Sequence, residues 1–317
     1  MLVEGCEFLV DASAKFHRGL HVWGWFHHPE DRLKQVSIRH DGILASDCGA
    51  GLPHGGVEPS FGPDKGFRID AFLARPVFPD DAVVTFETEG GIFIETTLGK
   101  LNRERIGRMR SFSLFRQFRT RVMEHEGARI LDIGGRDRSE GLPDDLFGTA
   151  EVTVIDILDG PGVDIVGDAH SLSRHFEPDH FDYVHSSSVF EHLIMPWKVV
   201  LEMNRVLKPG GIAFVSTHQT IGLHDTPWDY WRFSETCWDG LFNAATGFEI
   251  VDRHADFESF IIPALFRPGK EDAEGSVGHE ASSVLVRKTG PTSLEWPVDT
   301  ASLVTTSYPD TPAKLRS

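Results

Sequence analysis

Three aspartates stand at intervals along the middle of the chain, each in or just after an apolar run: Asp132 in "RILDIGG", Asp156 in "EVTVIDI" and Asp168 in "DIVGDAH". A carboxylate offers two acceptor oxygens and no donor. At Asp156 it suits the paired hydroxyls of a ribose. At Asp168 it suits an exocyclic amine, with the Ala169 amide donating to the adjoining ring. Gly134 and Gly135 form a bare turn against which the rest of such a ligand could lie. A dinucleotide loop would carry a third spaced glycine, whereas Arg136 and Asp137 follow here. The residue types therefore describe an adenosine with a short tail free of phosphate.

A second group lies at 218–233, "HQTIGLHDTPWDYWRF", where His218, His224, Asp225, Asp229 and Arg232 alternate with Trp228, Tyr230 and Trp231. Imidazoles and carboxylates among aromatics suit a pocket for a polyhydroxy ligand. An alcohol has too high a pKa to ionise unaided, so a positioned base helps at the transition state. His218 or His224 is the expected base, ahead of Asp229. The competing reading is a buried loop in which the tryptophans pack and Asp229 pairs with Arg232. No spacing of a known metal site occurs, so no metal is expected.

Other polar groups have plainer readings. Glu191-His192 is expected to tie a helix start to a strand, and the arginines of 103–121 to form a solvated face. Trp23, Trp25, His27 and His28 could stack on a sugar, but aromatics on a strand are expected in the core.

These residues need elements to hold them. Over 1–100, "LHVWGWF", "KQVSIRHDGIL", "FRIDAFL" and "AVVTFETEGGIFIET" run apolar or alternate, with Asp41-Gly42 and Gly90-Gly91 as hairpin turns and a long loop at 49–66. This predicts a small β-sandwich of immunoglobulin-like size. From about Arg103 the period lengthens: Ile106, Met109, Phe112, Phe115, Phe118 and Val122 predict one amphipathic helix. Strands are then expected at 129–134, 151–157, 163–166, 181–187 and 211–217. The helix "WKVVLEMNRVL" precedes the last of these and is stopped by "KPGG". "GFEIVDRHA" and "SSVLVRKTG" add two strands. Such alternation predicts an α/β fold with a Rossmann-like, doubly wound, mostly parallel seven-stranded sheet. In such sheets ligands sit beyond the carboxyl ends of the strands. The expected division is a β-sandwich over 1–100, an α/β domain over 101–290 and a flexible Thr/Ser/Pro-rich tail over 291–317.

The chain of 317 residues carries a net charge of -17, which disfavours a nucleic-acid partner or an anionic membrane surface. Cys6, Cys48 and Cys237 are too few and too scattered for a disulfide framework. No apolar run is long enough to insert in a membrane, and Glu4, Glu7 and Asp11 interrupt the N-terminal apolar stretch, unlike a signal peptide. A cytoplasmic protein is the expectation.

The ordered set of Asp132, Asp156 and Asp168, followed by "FDYVHSSSVFEHLIMPWKVVLEMNRVLKPGG", resembles the class I S-adenosylmethionine-dependent methyltransferases of the small-molecule branch. The resemblance covers roughly 125–290, and "HQTIGLHDTPWDYWRFS" is similar to methyltransferases of bacterial surface-polysaccharide pathways. It implies S-adenosylmethionine as cofactor, with Asp132, Gly134 and Gly135 holding the methionine part. Asp156 would take the ribose, Ile157 would lie against the adenine, and Asp168 and Ala169 would read its edge. The implied activity is O-methylation of a sugar or saccharide intermediate. Two other classes stay open: a nicotinamide-dependent oxidoreductase, and a non-catalytic glycan-binding protein that keeps cofactor affinity.

Overall fold

The computed structural model describes residues 2–3, 5–136, 146–264, 268–269 and 277–309. Asp137 to Gly141 of the glycine-turn stretch and 310–317 of the expected tail lie outside the described residues. The chain forms two compact units, Met1–Met109 and Arg110–Ser317. The division thus falls after Met109 rather than near residue 100.

The first unit holds β1 (Leu2–Val3), β2 (Cys6–Phe16), β3 (Gly19–His27), β4 (Leu33–Arg39), β5 (Ile43–Leu52), α1 (Glu58–Phe61), β6 (Gly66–Leu73), β7 (Val83–Thr88), β8 (Phe93–Thr97) and α2 (Leu98–Gly107). The strands make a five-stranded sheet, β1-β2-β3-β6-β5, and a three-stranded sheet, β4-β7-β8. Every pairing in both is antiparallel. Phe8, Val22, Phe26, Phe67 and Ile69 of the larger sheet share one core with Val36, Val84, Phe86 and Ile94 of the smaller. This is sandwich packing. Gly90-Gly91 closes the β7–β8 hairpin, with Glu87 opposite Phe93. Asp41-Gly42 closes no hairpin: β4 pairs with β7 and β5 pairs with β6, so this turn passes the chain from one sheet to the other. Successive side chains of a strand face opposite sides. Leu20, Val22 and Phe26 therefore fill the core, and Trp23, Trp25 and His27 lie half-buried on the other face. There Trp25 and His27 stack on Phe61 of α1 at ring-centroid distances of 5.4 and 4.3 Å. These aromatics are not core, contrary to the sequence reading.

The second unit holds α3 (Arg110–Met123), β9 (Arg129–Ile133), β10 (Glu151–Asp156), β11 (Ile165–Val166), β12 (Phe181–Ser187), α4 (Pro196–Val206), β13 (Leu207–His218), α5 (Cys237–Leu241), β14 (Phe248–Phe260) and β15 (Val277–Lys288). Its seven-stranded sheet has the order β11-β10-β9-β12-β13-β15-β14. β11, β10, β9, β12 and β13 run parallel, and β15 is antiparallel to both its neighbours. The sheet is mixed and mostly parallel. Strand alternation gives each face its own core. Ile130, Tyr183, Phe214 and Leu285 meet Leu114, Phe118 and Val122 of α3. Leu131, Ile133, Val184, Val215 and Val286 meet Val199, Val200 and Met203 of α4. β9 leads to β10 on one side while β12 pairs with it on the other, so strand order switches beside β9.

Two sequence expectations fail locally. The single helix expected through Ile106 to Val122 is broken between Gly107 and Arg110, and its halves belong to different units. "KPGG" does not separate helix from strand but forms a bulge inside β13. Phe181 pairs with Leu207, Tyr183 already pairs with Ile212, and Gly210 has φ +79°. Residues 291–309 of the expected flexible tail make specific contacts. Trp296 Nε1 donates to Met195 Sδ at 3.2 Å, Lys198 Nζ donates to the Val298 carbonyl at 2.5 Å, and Trp228 Nε1 donates to Thr306 Oγ1 at 3.2 Å.

Candidate functional site

At the switch in strand order, the carboxyl ends of the parallel strands surround a cavity. Its wall begins with Ile133-Gly134 after β9, continues through Ile155-Asp156-Ile157 after β10 and Gly167-Asp168-Ala169-His170 after β11, and reaches Ser188-Val189 after β12. His192, Leu193, Trp228 and Tyr308 complete it. Gly134, Asp156, Ile157, Asp168 and Ala169, singled out from the sequence, thus line one cavity. Asp132 and Gly135 are not among its lining residues.

The glycine turn is shaped by the protein's own side chains. Gly134 has φ +75°, and a Cβ there would come within 2.2 Å of Val189 Cγ2. A Cβ on Gly135 would come within 2.3 Å of Asp132 Oδ2. Asp132 in turn pairs with His185 Nδ1 at 2.7 Å. The His185 ring stacks on Phe214 at 6.0 Å and on Phe118 at 6.2 Å, inside the layer beneath α3. What lies against Gly135 is therefore the Asp132 carboxylate, held by its hydrogen bond to His185.

Asp156 sits at the end of β10, and its Oδ1 accepts from the Leu158 amide at 2.9 Å. Arg136 Nε lies 3.9 Å from the same oxygen, with only 7% of the arginine side chain exposed. The residue standing in place of a glycine thus crosses to the β10 end and lies beside the ribose candidate. Asp168 caps the short helical turn Ala169–Arg174. Its Oδ1 accepts from the His170 amide at 2.9 Å and meets His170 Nδ1 at 2.6 Å. Burial alone would raise the Asp168 carboxyl, but the bonds from His170 outweigh it and hold it at about 2. His170 Nε2 in turn accepts from the Met195 amide at 3.2 Å, so one imidazole links the β11 end to the start of α4.

The far wall is built by the turn after β12 and the segment after β13. The amides of Tyr230 and Trp231 both donate to the Glu191 carbonyl, at 2.8 and 3.1 Å, and Trp231 Nε1 donates to the Leu193 carbonyl at 2.8 Å. His192 Nδ1 donates to the Trp228 carbonyl at 2.9 Å, which leaves Nε2 as the ring's acceptor. Ser188 enters this turn with φ +55°, an uncommon conformation for a residue with a Cβ.

His218 and His224 converge on Glu191. His218 Nε2 lies 3.3 Å and His224 Nε2 3.8 Å from Glu191 Oε1, and His192 Nε2 lies 3.7 Å from the same atom. Glu191 is fully buried, and its Oε2 accepts from Thr217 Oγ1. Burial pushes its carboxyl up, and the imidazoles with the Thr217 hydroxyl outweigh that push, so it is held below the ordinary value. The Glu191 carboxylate raises the His224 imidazole against the opposing effect of burial. Asp229 has a different part. Its fully buried carboxylate accepts from Arg232 Nη1 at 2.5 Å and Nη2 at 2.7 Å, and from the His224 amide at 3.0 Å. Those bonds engage both oxygens, so Asp229 is a loop anchor and not a base. Of the three imidazoles only His192 lines the cavity, whereas His218 and His224 do not. Sequence reading gave Glu191 and His192 only a structural part and did not single out Tyr308, because their neighbours come from segments distant along the chain.

The donor set suits a cationic adenosyl compound better than a phosphate ester. Two carboxylates line the part of the cavity that would take a ribose and base, and a pyrophosphate there would meet like charge. A family model described as a methyltransferase domain matches residues 148–215. This span contains the ends of β10, β11 and β12 and therefore most of the cavity wall.

The chain is similar to a probable methyltransferase, ltbC, of Aspergillus luteorubrus, 32% identical over 142 residues, covering 44% of this chain and 48% of that protein. It is also similar to an uncharacterized methyltransferase of Mycobacterium marinum, 32% identical over 102 residues, covering 28% of this chain and 39% of the other. The matches span less than half the length of either relative. Among solved structures, a SAM-dependent methyltransferase of Archaeoglobus fulgidus aligns with a TM-score of 0.42 at 16% identity, over 60% of this chain and 100% of that one. A Burkholderia thailandensis N1-methyltransferase of 1,6-didemethyltoxoflavin, solved with S-adenosylhomocysteine, aligns with a TM-score of 0.39 at 16% identity, over 68% and 99%.

Proposed function

We propose that the chain is an S-adenosylmethionine-dependent methyltransferase that O-methylates a sugar or a sugar-containing intermediate. The observation that carries this reading is the single cavity that joins Asp156 and Asp168, at two successive strand ends, to the imidazole of His192 on the opposite wall. The methyltransferase-domain match over the same strands supports it, as do the names of the two relatives. Asp156 takes the ribose hydroxyls, Ile157 packs on the adenine, and Asp168 with the Ala169 amide reads its edge. Gly134 faces the methionine arm. Asp132, paired with His185, supports that turn from the other side of the sheet rather than touching the ligand.

The bound cofactor supplies an electrophilic methyl group, and the residues of this chain position the acceptor and manage its proton. His192 serves as general base: the Trp228 carbonyl fixes its Nδ1 proton and leaves Nε2 to accept one. His218 and His224, the bases expected from sequence, stand behind it on Glu191. Trp228 and Tyr308 give the acceptor end aromatic faces of the kind that pack on a sugar ring. Calorimetry with S-adenosylhomocysteine tests the cofactor half. Asp156→Ala should weaken binding by about 1.5–3 kcal/mol, the worth of hydrogen bonds to a charged group, and unchanged affinity in the folded variant would remove the ribose assignment. A methyl-transfer screen over nucleotide sugars and lipid-linked saccharides tests the acceptor half. On the acceptor so found, His192→Ala should lower turnover by about 10²–10⁴-fold, and wild-type turnover would remove the base.

A further inference from the structure

Glu191 Oε1 is a fully buried carboxylate oxygen that makes no hydrogen bond among the described residues, although three imidazole nitrogens lie within 3.8 Å of it. His192 and His224 each direct Nδ1 at a main-chain carbonyl, Trp228 at 2.9 Å and Gly222 at 3.1 Å. Each ring thus has a proton on Nδ1, and unless a second proton occupies Nε2 the lone pair of that nitrogen faces a carboxylate oxygen. Lone pairs converging on a buried charged acceptor repel, and either a second proton on a ring or a cation between the groups removes that repulsion. The donor atoms of Glu191, His218 and His224 all lie within 4.8 Å of one another, close enough for one ion to touch all three.

We propose that Glu191, His218 and His224 bind a divalent transition-metal ion of the zinc class. Two imidazoles and one carboxylate are a ligand set that zinc takes in open, three-ligand sites, with the remaining position left to water or substrate. The supporting contacts match those that orient metal ligands. The His224 Nδ1 proton is held by a carbonyl, and the second Glu191 oxygen is held by Thr217. His218 and His224 keep 23% and 24% of their side chains exposed, so an ion can enter from solvent. The segment spacing Glu191…His218…His224 matches no short metal motif, which is why the sequence predicts none; the turn after β12 and the end of β13 bring the three together. The binding itself is independent of methyl transfer. Only a consequence for catalysis would rest on the methyltransferase reading.

The test uses the full chain after chelator treatment. Cobalt(II) is added and followed by its visible absorption, and zinc is added in a calorimeter and in a thermal melt. One ion per chain, an intense cobalt band and a zinc-dependent rise in melting temperature are expected. Glu191→Gln and His218→Ala should each weaken binding at least tenfold, about the loss seen when even a supporting contact of a metal site is removed. His21→Ala, an exposed histidine paired with Asp70 in the first unit, should bind as wild type and so controls for surface imidazoles. If Glu191→Gln fails to fold, His218→Ala alone decides, because the partly exposed His218 can be truncated with less disturbance. Binding equal in wild type and His218→Ala, or no stoichiometric binding in wild type, overturns the proposal. Metal binding without any cofactor affinity would leave this site standing and remove the methyltransferase reading instead.

Discussion

At the scale of single residues, Asp168 has to serve a fold and a site together. Its carboxyl is held at about 2, because bonds from His170 outweigh the effect of burial. A carboxyl lowered in the folded state adds stability above the unfolded value, and that stability disappears as pH falls through the folded value. The window is therefore about pH 4 down to about pH 2. Asp168→Asn should destabilise the chain by about 1 kcal/mol near neutrality, after discounting for the part of the side chain that water screens. In chemical denaturation the gap between variant and wild type should close on acidification through that window; a gap constant down to pH 2 would remove the His170 bond as its source. Gly134 gives a second residue-scale outcome. Alanine there meets both an unfavourable φ and Val189 Cγ2 at 2.2 Å, so Gly134→Ala should cost about 1–3 kcal/mol. Gly134→Ala with Val189→Ala should recover only the steric part. Full recovery by the pair would mean that φ imposes no strain.

At the scale of elements, what the sequence discloses depends on how local the cause is. Strand positions were legible because alternation is written into neighbours: Ile130 and Leu131 face opposite cores. The acceptor-rich strand ends were legible because a carboxylate after an apolar run is a local signal. The break between α2 and α3 was not, since Ile106, Met109 and Phe112 continue a helical period across Arg108. Nor was the Glu191 cluster, whose members meet only after β12 and β13 pair. The end of α4 shows the same limit. "KPGG" reads as the stop, yet Lys288 of β15 holds the helix end. Its Nζ, on a side chain 3% exposed, donates to the Asn204 and Leu207 carbonyls at 2.6 Å each and to Asp179 at 2.7 Å. A cation on the last carbonyls of a helix complements its dipole. Lys288→Met keeps the length of the side chain and removes its donors, leaving buried carbonyls unpaired. The expected loss is about 3 kcal/mol, read as a lower urea midpoint with an unchanged slope. An unchanged midpoint would return the role of helix stop to Pro209 and Gly210.

At the scale of the whole molecule, the position of the division decides what can be separated. Leu98 and Leu101 of α2 are buried in the sandwich core with Phe8, Phe86 and Ile94, whereas Leu114, Phe118 and Val122 of α3 are buried under the seven-stranded sheet. A cut at residue 101 would split α2 and leave Leu101 without the side chains that cover it. A cut after Met109 leaves both cores complete. The cavity wall runs from Ile133 to Tyr308, wholly within the second unit. A protein starting at Arg110 should therefore fold cooperatively and bind S-adenosylhomocysteine with the affinity of the full chain, while one starting at Leu101 should be less soluble. Circular dichroism melts and calorimetry on the two shortened proteins read both outcomes. If acceptor methylation falls in the Arg110 protein while cofactor affinity holds, the sandwich contributes to the acceptor. If that protein is insoluble or binds nothing, the second unit draws part of its stability from the first, and the two must be treated as one folding unit.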